Sequence, residues 1–220
     1  FLTGIDSKNS NLSVKEADAN VIFLDGNMDT VTVNMTKSKL GTALDKADKS
    51  GNLSQLNTWC TYTVNSNGVY TLKEVAVSGA TSAIDKDKKV DVAQYAQNVG
   101  SRDVTIDKGH VSLMAADSKS YVYGNDDTVY LNVELDGVIV EDTNNSVGTS
   151  GHPGYIAGDH RWIIDDVESV TTGVKNVNLV MENLTNDKDE DSIPYIAPEA
   201  EIYTLYNDDG YVIAAVTIGE

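Results

Sequence analysis

Apolar positions along this chain recur mainly with a period of two. The clearest case is Tyr121-Val-Tyr-Gly-Asn-Asp-Asp-Thr-Val-Tyr-Leu-Asn-Val-Glu-Leu135, where Val129, Leu131, Val133 and Leu135 alternate with Thr128, Tyr130, Asn132 and Glu134. That spacing gives an extended strand one mainly apolar face. The turn-forming Gly-Asn-Asp-Asp core, set between runs rich in β-branched and aromatic residues, predicts a β-hairpin across residues 121–135. Gly26-Asn-Met-Asp-Thr-Val31 matches Gly124-Asn-Asp-Asp-Thr-Val129 at an offset of 98 (124 − 26). Val31, Val33 and Met35 then stand where Val129, Leu131 and Val133 stand. The pattern reads as a duplicated β unit. Val31, Val33, Val129, Leu131 and Val133 are expected in the core, and Thr30, Thr32 and Asn132 on the wetter face.

A second pair of hairpins supports the same reading. In Trp59-Cys-Thr-Tyr-Thr-Val-Asn-Ser-Asn-Gly-Val-Tyr-Thr-Leu72, a two-residue Asn67-Gly68 turn would pair Val64 with Thr71 and Tyr62 with Lys73. A three-residue loop, Ser66-Asn67-Gly68 with Gly68 left-handed, pairs Val64 with Tyr70 and Tyr62 with Leu72. The second register collects the apolar residues on one face and is the expected one. Asn207-Asp-Asp-Gly210 corresponds to Asn65-Ser-Asn-Gly68 and predicts the matching hairpin, Tyr203 to Ile213. Both faces of that hairpin are apolar (Leu205 with Ile213, Tyr206 with Val212), which predicts a central pair covered on both sides.

The remaining segments are less regular. Between Lys37 and Leu56, the spacing of Leu40, Ala43, Leu44 and Ala47 predicts a helix, kept short by Gly41 and by Asp48-Lys-Ser-Gly51. Residues 79–100 read as mixed strand and loop. Glycines and Pro153 crowd residues 142–165, and residues 183–198 form a second polar excursion. The expected fold is all-β, β-dominated with short helices, in two related units built from hairpins. The first unit spans 1–104. The second spans 105–220 and carries extended loops at about 136–165 and 183–198. Long excursions on a rigid β scaffold are where binding function tends to sit.

Charge narrows the classes of partner. The chain carries 34 acidic residues against 16 Lys+Arg, a net charge of −18 over 220 residues. Nucleic acid and anionic membrane are therefore disfavoured, because both need a cationic surface to displace counterions. No apolar run approaches the ~20 residues needed to span a bilayer, so this segment is not expected to insert in a membrane. A single cysteine, Cys60, excludes an internal disulfide framework; its alternation with Tyr62 and Val64 reads as a small buried hydrophobe. The abrupt start at Phe1 and the strand-like end suggest a piece of a longer protein.

The succession Gly124-Asn-Asp-Asp-Thr-Val-Tyr-Leu131, Val170-Thr-Thr-Gly-Val-Lys-Asn-Val177 and Tyr203-Thr-Leu-Tyr-Asn-Asp-Asp-Gly-Tyr-Val212 resembles the non-anchoring region of surface-layer-homology-type cell-surface proteins of Gram-positive bacteria. The likeness covers about 100 residues well and, through the repeat, roughly residues 20–77 less well. No anchoring repeat is visible. The resemblance implies an extracellular, wall-associated setting, with cell-wall components or other surface proteins as partners, and it supplies no catalytic residues.

Candidate chemistry is sparse. Asp187, Asp189 and Asp191 begin like a calcium loop, but an EF-hand needs Gly sixth and Glu twelfth, where this chain has Ser192 and Pro198. They remain the metal candidates only as a looser surface Ca²⁺ site, set against a solvated acidic loop; no other cofactor is expected. His152 and His160 match no zinc spacing. Gly148-Thr-Ser-Gly-His152 lacks the spacing of a nucleophile turn. Tyr155, Arg161 and Trp162 are the ligand-binding candidates, as a sugar-stacking platform in the first excursion. The expected function is a non-enzymatic structural or adhesive segment of a surface-layer-like protein, with a carbohydrate-binding module as the alternative.

Overall fold

The computed structural model describes residues 1–6, 16–40, 53–76, 92–99, 104–107, 110–114, 121–140, 160–173 and 200–218. All regular structure among them is strand, as the alternating pattern predicts. The first six strands are β1 (Leu2–Asp6), β2 (Glu16–Ile22), β3 (Met28–Asn34), β4 (Leu53–Thr58), β5 (Cys60–Val64) and β6 (Tyr70–Glu74), joined in one sheet in the order β4-β1-β2-β3-β6-β5. The helix expected between Lys37 and Leu56 finds no support in the described part: residues 53–56 are strand, paired with β1. Residues 41–52 lie outside the described residues.

One residue dictates the shape of this sheet. β4 and β5 lie on opposite edges, yet only Trp59 separates them in sequence. Six flat strands spaced ~4.8 Å apart put their edges ~24 Å from one another. A single residue spans at most ~3.6 Å. The sheet therefore curls until its edges converge at Trp59. Asn57, with a left-handed φ of 45°, helps turn the chain at that corner. Inside the curl lie Leu2, Ile5, Ala17, Ala19, Val21, Val31, Val33, Leu40 and Leu72. On β2 the small Ala17 and Ala19 face inward while Glu16 and Asp18 face water, so period-two alternation and tight curvature are met by the same residues.

The other strands are β7 (Val92–Val99), β8 (Val104–Asp107), β9 (His110–Met114), β10 (Tyr121–Tyr123), β11 (Val129–Val140), β12 (His160–Thr172), β13 (Ala200–Asn207) and β14 (Val212–Ile218). Five of them form a second sheet, β12-β11-β14-β13-β7, and three a small sheet, β10-β9-β8. The hairpin expected at 121–135 is thereby corrected. β10 pairs with β9, because both edges of β11 are already occupied, by antiparallel β12 and by parallel β14. Thr128 fixes that exit: its hydroxyl donates to Val212 O at 2.7 Å and accepts from the Asn125 N–H at 2.8 Å. The expected excursion at 136–165 is also shorter than predicted, since 136–140 extend β11 and 160–165 open β12. The excursion at 183–198 lies outside the described residues.

Part of the internal repeat survives in the strand order. β3 runs parallel to β6, which returns to β5; β11 runs parallel to β14, which returns to β13. The two returning hairpins share one turn. Asn65 N–H donates to Val69 O and Gly68 N–H to Asn65 O, both at 3.1 Å; Asn207 and Gly210 repeat both bonds at 3.0 Å. Gly68 and Gly210 have φ of 77° and 82°, a left-handed region that glycine enters without penalty. The three-residue loop and the Val64–Tyr70 and Tyr62–Leu72 pairs are as the sequence predicts. The parallel registers differ, however: Val33 faces Tyr70, two residues past Gly68, whereas Leu131 faces Val216, six past Gly210. Gly26 and Gly124 are not equivalent either. Gly26 is left-handed in the β2–β3 turn, whereas Gly124 lies on the way from one sheet to another.

The two large sheets share a core. Phe1, Ile22, Trp59 and Val75 of the first pack with Leu131, Val133, Ile164, Tyr203, Ala214 and Val216 of the second. β7, from the expected first half of the chain, belongs to the second sheet. Gln94 on β7 ties the sheets: its Nε2 donates to Val75 O (2.6 Å) and Thr58 Oγ1 (2.8 Å), and its Oε1 accepts from the Trp59 N–H (2.7 Å). The Trp59 indole N–H completes the junction by donating to Tyr203 O at 2.8 Å.

The β13–β14 pair is central and buried on both faces, with Tyr206, Val212, Ala215 and Thr217 opposite the shared core. The same covering explains Asn132, expected on the wetter face but 3% exposed. Its Nδ2 donates to Ser169 Oγ at 2.8 Å, and its Oδ1 accepts from the Thr217 hydroxyl. Val31, Val33, Leu131 and Val133 are buried as expected, and Val129 is half-buried. Leu131→Ala should cost about 2–5 kcal/mol in urea unfolding, because the cavity lies in the shared core. A loss below about 0.5 kcal/mol, the scale of a neutral surface change, would mean the faces are reversed.

Candidate functional site: an aromatic cleft at the mouth of the curled sheet

Curling leaves an opening where the β2–β3 turn, the Trp59 corner and the β5–β6 hairpin converge. A cleft of about 560 Å³ lies there, its floor including Leu2 and Leu72 and its walls Phe23, Trp59, Tyr62 and Tyr70. Each wall residue is placed by local geometry. The Gly68 loop register sets Tyr62 and Tyr70 on one face of the hairpin, diagonal to each other across the β5–β6 ladder. Phe23 is the first residue of the β2–β3 turn, held by its N–H to Asn27 O at 2.9 Å.

The rings form two groups. At the rim, Phe23 lies 5.8 Å from Tyr62 and 6.3 Å from Tyr70, and the two tyrosine rings are 5.5 Å apart. Deeper, Phe1 packs edge-on against Trp59 at 5.1 Å and tilted against Tyr203 at 5.4 Å. Such contacts contribute ~0.5–1.5 kcal/mol each beyond area burial, so the walls hold one another in place. The rim stays wet nonetheless: Tyr62 is 53% exposed. Asp25 is the charged residue of the lining, and its Oδ1 accepts the Asn27 N–H at 3.0 Å, which orients the carboxylate within the turn. The exposed Tyr62 ring, apolar depth and a few polar groups suit recognition by stacking and apolar contact.

Cys60 lines the cleft and is half-buried, so it is less enclosed than the alternation predicts. Burial pushes its thiol up to about 12, against the pull of the nearby N-terminal ammonium, and the Glu74 carboxylate adds a smaller rise. The thiolate is the reactive form, so alkylation by iodoacetamide at pH 8 should run at least ~100-fold slower than for a free thiol. A rate close to that of glutathione would refute the buried setting. The sign of the linkage follows. Because the folded value is raised, the unfolded chain releases this proton first, and the thiol's contribution to stability declines as pH climbs above about 9 toward 12.

Of the residues singled out from sequence, the structure describes the backbone of Arg161 and Trp162. Tyr155, Asp187, Asp189 and Asp191 lie outside the described residues. Arg161 and Trp162 sit on β12, in register with Ile139 and Val138, at the edge of the second sheet; their side chains are likewise outside the description. Among the described residues, no group of three or more His, Cys, Asp or Glu is placed to hold a metal ion, and no helix is long and apolar enough to cross a membrane. Sequence reasoning missed the cleft, although its signal was present in the Tyr62/Tyr70/Leu72 face. Those residues read as core, and the curl that leaves Tyr62 at an open mouth is visible only once β4 and β5 occupy opposite edges.

The fold and cleft define the class: an all-β protein of two large packed sheets with an aromatic recess at one end. No protein-family model matches the chain, and no curated protein or solved structure matches it.

Proposed function

We propose that this chain is a non-enzymatic adhesive or structural segment of a bacterial cell-surface protein, working outside the cell, and that it makes contact through the aromatic cleft. The observation that supports this reading is the exposed ring of Tyr62, braced by the half-buried Phe23 and Tyr70 over an apolar recess, on a scaffold whose buried Gln94, Thr128 and Asn132 are spent on joining strands. Exposed aromatic groups on a rigid frame are characteristic of contact surfaces. The net charge of −18 favours solubility and disfavours nucleic acid as a partner.

The test is co-sedimentation with purified Gram-positive cell-wall fragments, comparing the chain with Tyr62→Ala. Tyr62 is largely solvent-exposed, so the variant should fold, and retention should fall at least ~10-fold if the ring anchors contact. Absence of retention, or retention indifferent to Tyr62→Ala, would refute the reading. The same rings favour a second reading as a carbohydrate-binding module, since ring faces stack on sugars. Soluble wall oligosaccharides would then raise the melting temperature of the chain but not of Tyr62→Ala.

A further inference from the structure

We infer that the outer edge of β5 is a docking strand, which takes an extended segment of a partner protein, with apolar and basic residues in alternation, as a seventh strand of the curled sheet. The inference deepens the adhesive reading and rests on it for the setting, but the geometry stands separately.

The backbone register exposes the groups that such a strand needs. Asn65 N–H bonds to Val69 O across the hairpin, and Val75 N–H bonds to Trp59 O further along. Antiparallel ladders alternate, so the main-chain groups of Thr61 and Thr63 face β6 while those of Tyr62 and Val64 point away from it. β5 is the last strand of its sheet, and Thr61, Tyr62, Thr63 and Val64 are all exposed. Among the described residues nothing pairs with that side, so two N–H and two C=O groups form an open ladder.

Protein edges normally discourage added strands with charge or proline. The outer edge of the second sheet follows that rule, since β12 carries exposed Asp165, Asp166 and Glu168. The opposite edge, β7, donates the Gln94 N–H to Ala76 O. β5, Cys60-Thr-Tyr-Thr-Val64, has neither charge nor proline, in a chain of 34 acidic and 16 basic residues. Its neutrality sits beside the cleft.

The side chains and the charge specify the occupant. A strand added at β5 would lay every second side chain over the face carrying Tyr62 and Val64, next to the rings of Phe23 and Tyr70. Its other side chains would follow the Thr61 and Thr63 face into solvent. An alternating segment is therefore required. The net charge of −18 favours a basic segment over a second copy of this chain, with its charges at the solvent positions, where Lys73 opposite Thr61 is the one like charge on the β5–β6 ladder.

The experiment uses the intact chain and a capped peptide of alternating Lys and Val, with a control of the same composition in which the valines are contiguous. The alternating peptide should bind at least ~10-fold tighter, because only it matches the period of a strand. On binding, amide exchange should slow at Tyr62 and Val64 and stay unchanged at Thr61 and Thr63. Val64→Pro removes an outward N–H without disturbing the β6 ladder and should weaken binding at least ~10-fold. A peptide N-methylated on the edge meeting β5 should fail against the native chain, a control that does not depend on the folding of any variant. Equal affinity for both peptides, protection at Thr61 and Thr63 instead, or self-association that protects Tyr62 and Val64 without peptide would each overturn the proposal. Wall retention that persists in Val64→Pro alongside failed peptide binding would remove the docking strand and leave the adhesive reading intact.

Discussion

Gln94→Leu should cost about 2–6 kcal/mol, because it leaves the Trp59 N–H and Val75 O without the amide that now satisfies them and leaves the Thr58 hydroxyl with Glu74 alone. Each stranded buried group costs ~1–3 kcal/mol. The side chain is 5% exposed, so water has little access to replace it. Against a typical total of ~5–15 kcal/mol, the loss would bring the chain close to unfolding at room temperature. Gln94→Glu should also lose stability, because a carboxylate accepts from the Trp59 N–H but has no N–H for Val75 O. Urea unfolding of both variants decides the matter. A loss under ~1 kcal/mol for Gln94→Leu would show that the junction is held by apolar packing and that the amide is incidental.

The second large effect is expected at Gly26. Its φ is +88°, and a Cβ there would stand 2.2 Å from Val170 Cγ2 on β12. Gly26→Ala should therefore cost about 2–5 kcal/mol, from ~1–2 for a left-handed non-glycine residue and the rest for the collision. The two parts can be separated. Val170 is 42% exposed, so Val170→Ala alone should be mild. In the double variant it should restore the steric part and leave the backbone part. If Val170→Ala restores nothing, the β2–β3 turn does not rest against β12.

Much of the fold was legible in the sequence wherever a local pattern and its turn residue agreed. The β5–β6 register follows from requiring one apolar face and a left-handed Gly68, and the doubly buried β13–β14 pair follows from apolar residues on both of its faces. Strand pairing at a distance was not legible. Tyr121–Tyr123 reads as a hairpin arm because proximity in sequence is the only pairing information available there. Its actual partner is β9, since β11 is taken on one side by β14, which begins 72 residues after β11 ends (212 − 140). Asn132 illustrates the same limit. Its polarity argued for exposure, but a residue on a strand covered on both sides is buried whatever its chemistry, and it finds Thr217 and Ser169 as partners. The cleft was hidden for a related reason: its residues were visible, but the curvature that opens them to solvent depends on which strands form the edges.

The bond from the Trp59 indole to Tyr203 O joins residues 144 apart in sequence. Ribosomes add ~5–20 residues per second, so Trp59 emerges roughly 7–30 s before its acceptor exists. During that interval the apolar flank formed by Phe1, Ile22, Trp59 and Val75 has no second sheet to cover it. The early half of the chain therefore carries uncovered apolar surface, of the kind that aggregates, until the last hairpin arrives. Its survival depends on the speed of synthesis as well as on the stability of the finished fold.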